Sequence, residues 1–413
     1  MKSYEPADIS NPQSYANPEK FDELFIRLRK ENPIAWVETE DFRPFWAITK
    51  YADIVEILSK PENFTNAPQR NLTRKKFEEE RLKKFGRLSA TRGIHQMDPP
   101  DHAKYRNLTK AWFEPANLLK LKEIVREIVR ESISHMASYD GQCDFAFDIA
   151  RPYPLRVIMK ILGLPREDEE SIFKNTMQSF SPEDPEVTAK SGLIDFQTLG
   201  NEALKLYFKP LVQDRKANPK DDLLTLIAKA EIDGQPIPEL EQLSYLVSIS
   251  SAGHDSTSQT IAGSFLAFAQ NPALLQQIKN DLSIIPFVVE EMLRWTTVFR
   301  LVMRTAVEDY EIRGQRIKAG DLVGLCLLSG NRDEEAIKDP FTIRFDRKPN
   351  RHIAFGFGSH TCLGMHLARL EIATFFEELI PKLESLQFGE FAYTQSSLFG
   401  GLKQLHLKYK MKA

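Results

Sequence analysis

The segment PELEQLSYLVSISSAGHDSTSQTIAGSFLAFAQNP, residues 238–272, constrains the fold of this chain more than any other. A proline suits the first turn of a helix, and Asn271-Pro272 predicts where the helix ends. At about 1.5 Å per residue, one helix from Pro238 to Asn271 would be about 50 Å long, which is enough to cross a whole domain. We therefore expect a mainly α-helical fold built around a long central helix.

The middle of that predicted helix, SSAGHDSTS, is rich in small and hydroxylated residues. Such residues are mediocre or poor helix formers, so a stable domain-crossing helix would be expected to use leucine and alanine instead. A seam of small residues for close helix packing is one interpretation. Asp255 favours a functional one, because an acid with apolar flanks normally needs a partner or a role.

A second constraint is Cys362 in FGFGSHTCLG, residues 355–364, just before the helical pattern of LGMHLARLEIATFFEELI. The glycines allow backbone N–H groups to approach the sulfur, and a helix N-terminus favours a thiolate. The chain has three cysteines, Cys143, Cys326 and Cys362, and no C-x-x-C pair. An odd, scattered set indicates neither a disulfide framework nor a zinc knuckle. A chance zinc-binding or redox-active cysteine is the alternative for Cys362.

Two further patterns are weak when taken alone. EEMLRW places Glu291 and Arg294 at i,i+3 on one helix face, as in any ordinary ion pair. MDPPDHAKYR places His102 and Arg106 at i,i+4 after a proline-marked helix start, so both side chains point the same way. A pair of that kind is usually found on the surface.

Composition excludes several classes of protein. The 413 residues include 42% hydrophobic residues, and the formal net charge is −3. We expect a globular protein without nucleic-acid partners. The polar, proline-broken N-terminus has no signal-peptide core, and no long apolar run follows, so the expected location is cytoplasmic without a membrane anchor. FWAITKYADIVEILS predicts a strand followed by a helix, and YEIRGQRIKAGDLVGLCLL predicts strands joined by turns.

Together, and in this order, these stretches resemble the cytochrome P450 family of thiolate-haem monooxygenases over essentially the whole chain. FGFGSHTCLG fits the family's F-G-x-G-x-[HR]-x-C-x-G loop, EEMLR its E-x-x-R helix, AGHDST its oxygen-activation segment and MDPPDHAKYR its bacterial haem-propionate helix. The resemblance implies one domain, 1–413, which is mainly α-helical with small β-sheets and has the long central helix over a buried haem b.

The resemblance also implies roles for individual residues. Cys362 would be the iron ligand, and Phe355 would pack beside the haem. The haem propionates would be bound by His102, Arg106, Arg304 and His360. A structural network of buried charges would consist of Glu291, Arg294 and Arg347.

On the other face of the haem, Asp255 and a neighbouring hydroxyl would deliver protons to bound dioxygen. The family usually has threonine after the acid, whereas this chain has Ser256 there and Thr257 one residue later. A shift of one residue rotates a side chain by about 100° around a helix, so Thr257 would reach the iron only if the helix is distorted at Gly253. Ser256 is therefore the predicted hydroxyl. His254 would be either a proton relay or a histidine satisfied within the helix, and the second interpretation is favoured.

The predicted substrate is a small lipophile, such as a terpenoid, steroid, fatty acid or aromatic compound. The segments AGHDST and RWTTVFRLVMRTA are most similar to those of soluble bacterial members that act on terpene alcohols. The connection Ser179–Thr188 is expected to be a loop or a lid. The predicted pocket residues are Met177, Phe180, Ser248, Ser251, Ala252, Val298 and Phe299.

The reaction implied by the resemblance is insertion of one oxygen atom of O₂ into a C–H bond. A ferredoxin and a ferredoxin reductase would supply the electrons, because no flavin or iron–sulfur motif is fused to the chain. One alternative is a peroxide-using or isomerising haem-thiolate enzyme, and another is a non-enzymatic haem sensor or carrier. The adjacent acid and alcohol, Asp255 and Ser256, favour the monooxygenase, because neither alternative needs a proton-delivery pair.

Overall fold

The computed structural model describes the backbone of residues 4–180, 184 and 194–412, and their side chains except those of 178–180. Helices dominate these residues. In chain order, the α-helices are α1 Pro18–Glu31, α2 Tyr51–Leu58, α3 Lys75–Phe85, α4 Asp101–Lys110, α5 Pro115–Ala137, α6 Pro152–Leu162, α7 Glu169–Phe180, α8 Phe196–Ala217, α9 Leu223–Ala228, α10 Glu239–Ala252, α11 Asp255–Gln270, α12 Pro272–Asn280, α13 Ile285–Thr296, α14 Leu327–Gly330 and α15 Met365–Leu379.

Shorter helical turns connect several of these elements. A single π-helical stretch spans Phe145–Ala150 within the described residues. The 3₁₀ turns are Pro6–Ser10, Pro12–Ala16, Ile94–Gln96, Ala111–Phe113, Arg166–Asp168, Leu282–Ile284, Gly358–His360 and Ile380–Lys382.

The strands form small sheets beside the helices, as the resemblance implied. They are β1 Ile34–Val37, β2 Phe45–Ile48, β3 Phe64–Thr65, β4 Gln142–Asp144, β5 Glu231–Ile232, β6 Gln235–Pro236, β7 Leu301–Ala306, β8 Tyr310–Ile312, β9 Gln315–Ile317, β10 Leu322–Cys326, β11 Leu383–Tyr393 and β12 Leu402–Met411.

The largest sheet joins segments that are distant in sequence. Its strand order is β1-β2-β10-β7-β3, and β2 pairs in parallel with β10, with Phe45 opposite Leu322. A second sheet has the order β11-β12-β4, and the pairs β5-β6 and β8-β9 are two-stranded. The predicted strand-then-helix of residues 45–58 is confirmed by β2 and α2.

The central segment is two helices rather than the single predicted helix. α10 ends at Ala252 and α11 begins at Asp255, with Gly253 and His254 in the break. At the break, two backbone carbonyls accept hydrogen bonds from side chains. His254 Nδ1 donates to the Ser250 carbonyl at 2.8 Å, and Ser256 Oγ donates to the Ala252 carbonyl at 3.3 Å. Such side-chain bonds compete with the backbone ladder and are a recognised cause of helix distortion.

Gly253 permits close packing at the same point. A Cβ built on Gly253 would lie 2.8 Å from Ile158 Cγ1 of α6 and 2.7 Å from the Ile249 carbonyl oxygen. The small residue therefore has a packing role, as the first interpretation of SSAGHDSTS predicted.

The main hydrophobic core surrounds α11. Phe265 packs against Phe145 at 4.6 Å between ring centroids, and it also meets Phe375 and Phe376 of α15. This cluster ties the central helices to the helix that follows the cysteine loop. Across the described ranges, no helix is both long enough and apolar enough to cross a lipid bilayer.

Candidate active site

One cavity of about 320 Å³ contains the motifs that the sequence analysis singled out. Its walls include residues of α10 and α11, among them Ser256 and Thr257, and residues of the loop before α15, among them Phe355 and Cys362. The fold thus brings the central helices and the cysteine loop to the same space.

Cys362 faces this cavity while protein surrounds it on its other sides. Its N–H donates to the Phe355 carbonyl at 2.9 Å, and the N–H of Gly364 donates to its sulfur. Burial raises the pKa of the thiol, and the Gly364 hydrogen bond and the nearby cations Arg106 and Arg369 only partly offset that rise.

A glycine of the cysteine loop allows the close approach of neighbouring backbone. Gly358 has φ +72°, and a Cβ at this position would lie 2.5 Å from the Leu58 carbonyl oxygen at the end of α2. Only glycine combines this backbone conformation with this space. The loop is thereby held against α2, and Cys362 with it.

The four residues predicted to bind propionates all line the cavity. The rings of His102 and His360 stack with centroids 3.8 Å apart and an interplanar angle of 33°. Burial lowers the pKa of His102 to about 4, with a smaller contribution from Arg106. Burial also lowers the pKa of His360 to about 2, helped by its cationic neighbours. Both imidazoles are therefore neutral hydrogen-bonding groups at neutral pH.

Some cations at the cavity lack an ion-pair partner among the described residues. Within the described ranges, no carboxylate lies within ion-pair distance of Arg106 or Arg304, and His360 Nε2 is buried without a hydrogen-bond partner. Arg304 Nη1 donates to the carbonyl of Met303 at 2.8 Å. Buried cations and orphaned donors of this kind indicate a bound anion.

These residues fit the haem that the resemblance implied. Cys362 offers one sulfur donor, and no described group of three or more His, Cys, Asp or Glu residues forms an alternative metal cluster. Arg106, Arg304 and the two stacked imidazoles offer donors suited to two carboxylates. Phe355, predicted to pack beside the haem, lines the cavity, and its ring lies 4.7 Å from the Arg369 guanidinium carbon.

The oxygen-activation residues divide between the cavity and the protein interior. Ser256 and Thr257 line the cavity, whereas Asp255 is 1% exposed and does not. The described contacts of the Asp255 carboxylate include a long hydrogen bond from Ser258 Oγ, at 3.5 Å. Thr257 was expected to reach the iron only if the helix is distorted at Gly253, and the break before α11 is such a distortion. The geometry is therefore compatible with either hydroxyl as the one that takes part in oxygen activation.

His254 is enclosed beside Asp255. Its Nδ1 is satisfied by Ser250, its Nε2 has no partner among the described residues, and burial lowers its pKa. The ring is therefore only half satisfied.

The predicted substrate pocket is partly assembled in the same cavity. Ser248, Ser251, Ala252, Val298 and Phe299 line it, and Met177 of α7 does not. The hydroxyl of Ser251 is buried and has no hydrogen-bond partner among the described residues. The side chain of Phe180 lies outside the described part of the structure. Of the predicted loop or lid, Ser179–Thr188, the structure describes Asp184 and the backbone of Ser179 and Phe180, which is helical and ends α7 rather than forming a loop.

The charged network lies away from the cavity. Arg294 makes two hydrogen bonds to Glu291, at 2.7 and 2.9 Å, and Arg347 adds one at 3.0 Å. Burial would raise the pKa of Glu291, but these bonds and the N–H of Arg344 outweigh burial and lower it. The ion network predicted from the resemblance is thus assembled in full around one ionised carboxylate.

Three further residues that the sequence analysis did not select line the cavity: Arg70, His95 and Glu371. Glu371 is fully buried, and neither of its carboxyl oxygens has a hydrogen-bond partner among the described residues. Burial raises its pKa well above the ordinary value. An acid within the apolar pattern of LARLEIATFF is the same signal that singled out Asp255, so Glu371 could have been found from sequence, whereas Arg70 and His95 carry no local signal.

Comparison with known proteins identifies close relatives. A family model described as cytochrome P450 matches residues 201–389. The chain is 38% identical to cytochrome P450-terp of a Pseudomonas species, over 96% of this chain and 95% of that protein. It is 32% identical to the methyl-branched lipid omega-hydroxylase of Mycobacterium bovis, over 87% of this chain and 83% of that protein. The crystal structure of CYP108D1 from Novosphingobium aromaticivorans superposes with a TM-score of 0.91 at 36% identity, covering 98% of this chain and 99% of that one.

Proposed function

Because the chain belongs to the cytochrome P450 family and is therefore a haem b monooxygenase, we propose that it hydroxylates a small lipophilic substrate, with electrons from a ferredoxin and its reductase. We also propose that residues 1–413 form one domain that works in the cytoplasm. The observation that carries the proposal is the single cavity that contains both Cys362 and the hydroxyls of Ser256 and Thr257.

Specific residues would hold the cofactor. Cys362 would bind the iron, and the Gly364 N–H would donate its hydrogen bond to the iron-bound sulfur. His102 and Arg106 of α4 would bind propionate oxygens, together with Arg304 of β7 and His360. The cofactor supplies activation of dioxygen, and the thiolate ligand favours cleavage of the O–O bond.

The remaining chemistry belongs to the protein. Ser256 Oγ would hold a water at the cavity wall, and Asp255, behind it, would return protons to that position from the interior. The half-satisfied ring of His254 adjoins Asp255 and offers Nε2 as a further acceptor on the same route.

The lining of the cavity supports the proposed substrate class. Val298 and Phe299 provide apolar surface, and the free hydroxyl of Ser251 provides one polar contact. That combination suits a lipophile with one oxygen function, such as a terpenoid alcohol, a steroid, a fatty acid or an aromatic compound. A relative named as a hydroxylase of methyl-branched lipids supports the same class.

A ligand screen tests this proposal. Terpene alcohols, steroids, fatty acids and aromatic compounds are added singly to the haem-loaded protein, and the shift of the haem absorption band is recorded. Each compound that shifts the band is then incubated with a ferredoxin, its reductase, NAD(P)H and O₂, and the product is identified. Hydroxylation of at least one such lipophile is expected. Binding confined to hydrophilic compounds, or turnover only with peroxide, would contradict the proposal.

A further inference from the structure

Arg70 is a cation in the cavity that the motifs do not account for. It lines the cavity, and burial lowers its pKa to about 10, so it stays charged at neutral pH. Its guanidinium carbon lies 5.4 Å from the centroid of the Phe299 ring, and its carbonyl accepts the N–H of Met303 in β7 at 2.7 Å. Among the described residues, no side chain or carbonyl accepts a hydrogen bond from its guanidinium.

Some enclosed arginines of this protein are paired with acids. Arg81, also at the cavity wall, makes two bonds of 2.7 Å to Asp195. Arg215 bonds Asp222 at 2.8 Å. Arg151 and Arg300 are likewise without an acid partner among the described residues, but they are buried away from the cavity. Arg70 differs because it lines the cavity, where a partner from outside the protein can reach its guanidinium.

Most arginines at the cavity have no ion-pair partner among the described residues. Besides the paired Arg81, three arginines line the cavity, Arg70, Arg106 and Arg304, and none has an acid partner among the described residues. The histidines on the wall are neutral, since burial lowers the pKa of His95 to about 3. Haem contributes two propionates. Asp98 lies near Arg304, whereas no described carboxylate forms an ion pair with Arg70, and an enclosed charge is tolerated only when it is paired.

We propose that Arg70 is a further carboxylate-binding residue of this cavity, and that its ligand is either a haem propionate or an acid group on the substrate. The inference rests on the proposed function, because both carboxylates enter with the haem or the substrate. Arg70 shares the cavity wall with Arg304 and His360, two of the expected propionate partners. Its contact with Phe299, in turn, places it at the proposed substrate pocket.

One experiment tests the haem as the source of the carboxylate. Transfer of haem to apomyoglobin is timed for the wild type, Arg70→Gln and Arg70→Lys, each loaded either with haem or with haem dimethyl ester, which has no free carboxylate. A charged hydrogen bond contributes about 1.5–3 kcal/mol, so Arg70→Gln should lose haem about 10- to 100-fold faster. The difference between variants should vanish with the ester.

A second experiment tests the substrate as the source. Dissociation constants of dodecanoic acid and dodecan-1-ol are measured from the shift of the haem absorption band. Arg70→Gln should weaken binding of the acid about tenfold or more and leave the alcohol unchanged. If the wild type does not bind the acid, haem is the remaining source and the transfer experiment alone decides.

A carboxylate-specific loss in either experiment supports the proposal. It is overturned if Arg70→Gln matches the wild type in both experiments. It is also overturned if Arg70→Gln speeds the loss of haem and ester equally and shows no acid-specific weakening of ligand binding, since that indicates a merely structural role. Arg70→Lys keeps the charge but lacks the forked guanidinium, so its effect should also be specific for the carboxylate but smaller than that of Arg70→Gln. This variant replaces Arg70→Gln in both experiments if Arg70→Gln does not fold. Arg166→Gln, at an exposed arginine paired with Glu131, is the matched control. Failure of the proposed function is distinguishable, because the wild type itself would then lack the absorption band of a thiolate-bound haem.

Discussion

Glu291 and Arg294 lie one turn apart on α13 and are joined by two hydrogen bonds while neither side chain is exposed to solvent. Arg294 also donates to the backbone carbonyls of Asn331 and Pro340, at 3.1 and 2.8 Å. The pair therefore ties α13 to the segment that leads toward the cysteine loop. Such a network is tolerated in the interior only because all of its members are satisfied.

Breaking this pair should destabilise the protein severely. Arg294→Met would leave the Glu291 charge buried with fewer partners, and we expect a loss of about 3–5 kcal/mol in the free energy of unfolding. Urea unfolding of the haem-loaded protein measures it. Arg166→Met removes an exposed ion pair with Glu131 and should have a far smaller effect. Equal losses in the free energy of unfolding of the two variants would show that the buried network stabilises the protein no more than an exposed ion pair does.

Cys362 should be the iron ligand. The reduced wild type under carbon monoxide is expected to show the strongly red-shifted Soret band of thiolate ligation, and Cys362→His should abolish it because imidazole donates less charge. Cys143→Ala, at a buried cysteine away from the cavity, should keep the band. An unshifted band in well-folded wild type would refute this ligation.

Ser256 and Thr257 should differ in their effect on coupling. If Ser256 holds the proton-bearing water, Ser256→Ala should bind haem and substrate normally but convert more of the consumed O₂ to hydrogen peroxide and less to product. Asp255→Asn should instead slow turnover, by about 10²-fold, because it supplies the protons. Peroxide and product are measured side by side for Ser256→Ala and Thr257→Ala. Uncoupling confined to the Thr257 variant would assign the role to Thr257, whose hydroxyl faces the cavity without a protein partner among the described residues.

Glu371 should make stability depend on pH. Burial raises its pKa in the folded state, and Tyr153, whose hydroxyl donates to the Glu371 backbone carbonyl at 3.0 Å, is the titratable group beside it. The folded protein therefore keeps a proton that the unfolded chain releases above its ordinary pKa of about 4.3. The stability that the protonated acid contributes is fully present below that pH and is lost as pH rises toward the folded pKa.

Glu371→Gln, which cannot ionise, should remove this dependence. Its advantage over the wild type in free energy of unfolding should grow by about 1.4 kcal/mol per pH unit above pH 4.3, until the folded pKa is reached. Urea titrations at pH 5, 6 and 7 test this. Glu131→Gln, at an exposed acid, is the control. Parallel pH profiles for Glu371→Gln and the wild type would show that the carboxyl is not held protonated.

Electron transfer from a ferredoxin should slow as ionic strength rises, because local basic fields steer encounter with an acidic partner. Lys104, Lys110, Lys348 and Arg351 are the expected docking residues. Lys104 is already paired with Asp233, whereas the Lys348 ammonium lies 3.9 Å above the ring of Phe287 without an acid partner among the described residues. Lys348→Glu should therefore slow reduction more than Lys104→Glu in stopped-flow measurements. If the rate of reduction changes neither with salt concentration nor with charge reversal at these residues, the docking site lies elsewhere.

The sequence by itself identified the family and most of the site. The cysteine loop, the E-x-x-R pair and the AGHDST segment are local patterns, and a residue's place in such a pattern depends on neighbours a few positions away. Cys362, His102, Arg106 and Ser256 were therefore selected before the fold was known, and the structure brings all four to one cavity. The strand and helix at residues 45–58 could be predicted for the same reason, since periodicity is a local property.

Tertiary structure alone decided what depends on contacts between distant segments. The break at Gly253 and His254 reflects side-chain bonds to backbone carbonyls and the packing of Ile158 from α6, which helix periodicity does not reveal. Arg70 reaches the cavity because its segment bonds β7, more than 200 residues later. Met177 was predicted on the cavity wall from its position before the lid, but the packing of α7 does not place it there. Local sequence states which chemistry a residue can perform, and only the packing of the whole chain determines which residues share a cavity and which charges are left without partners.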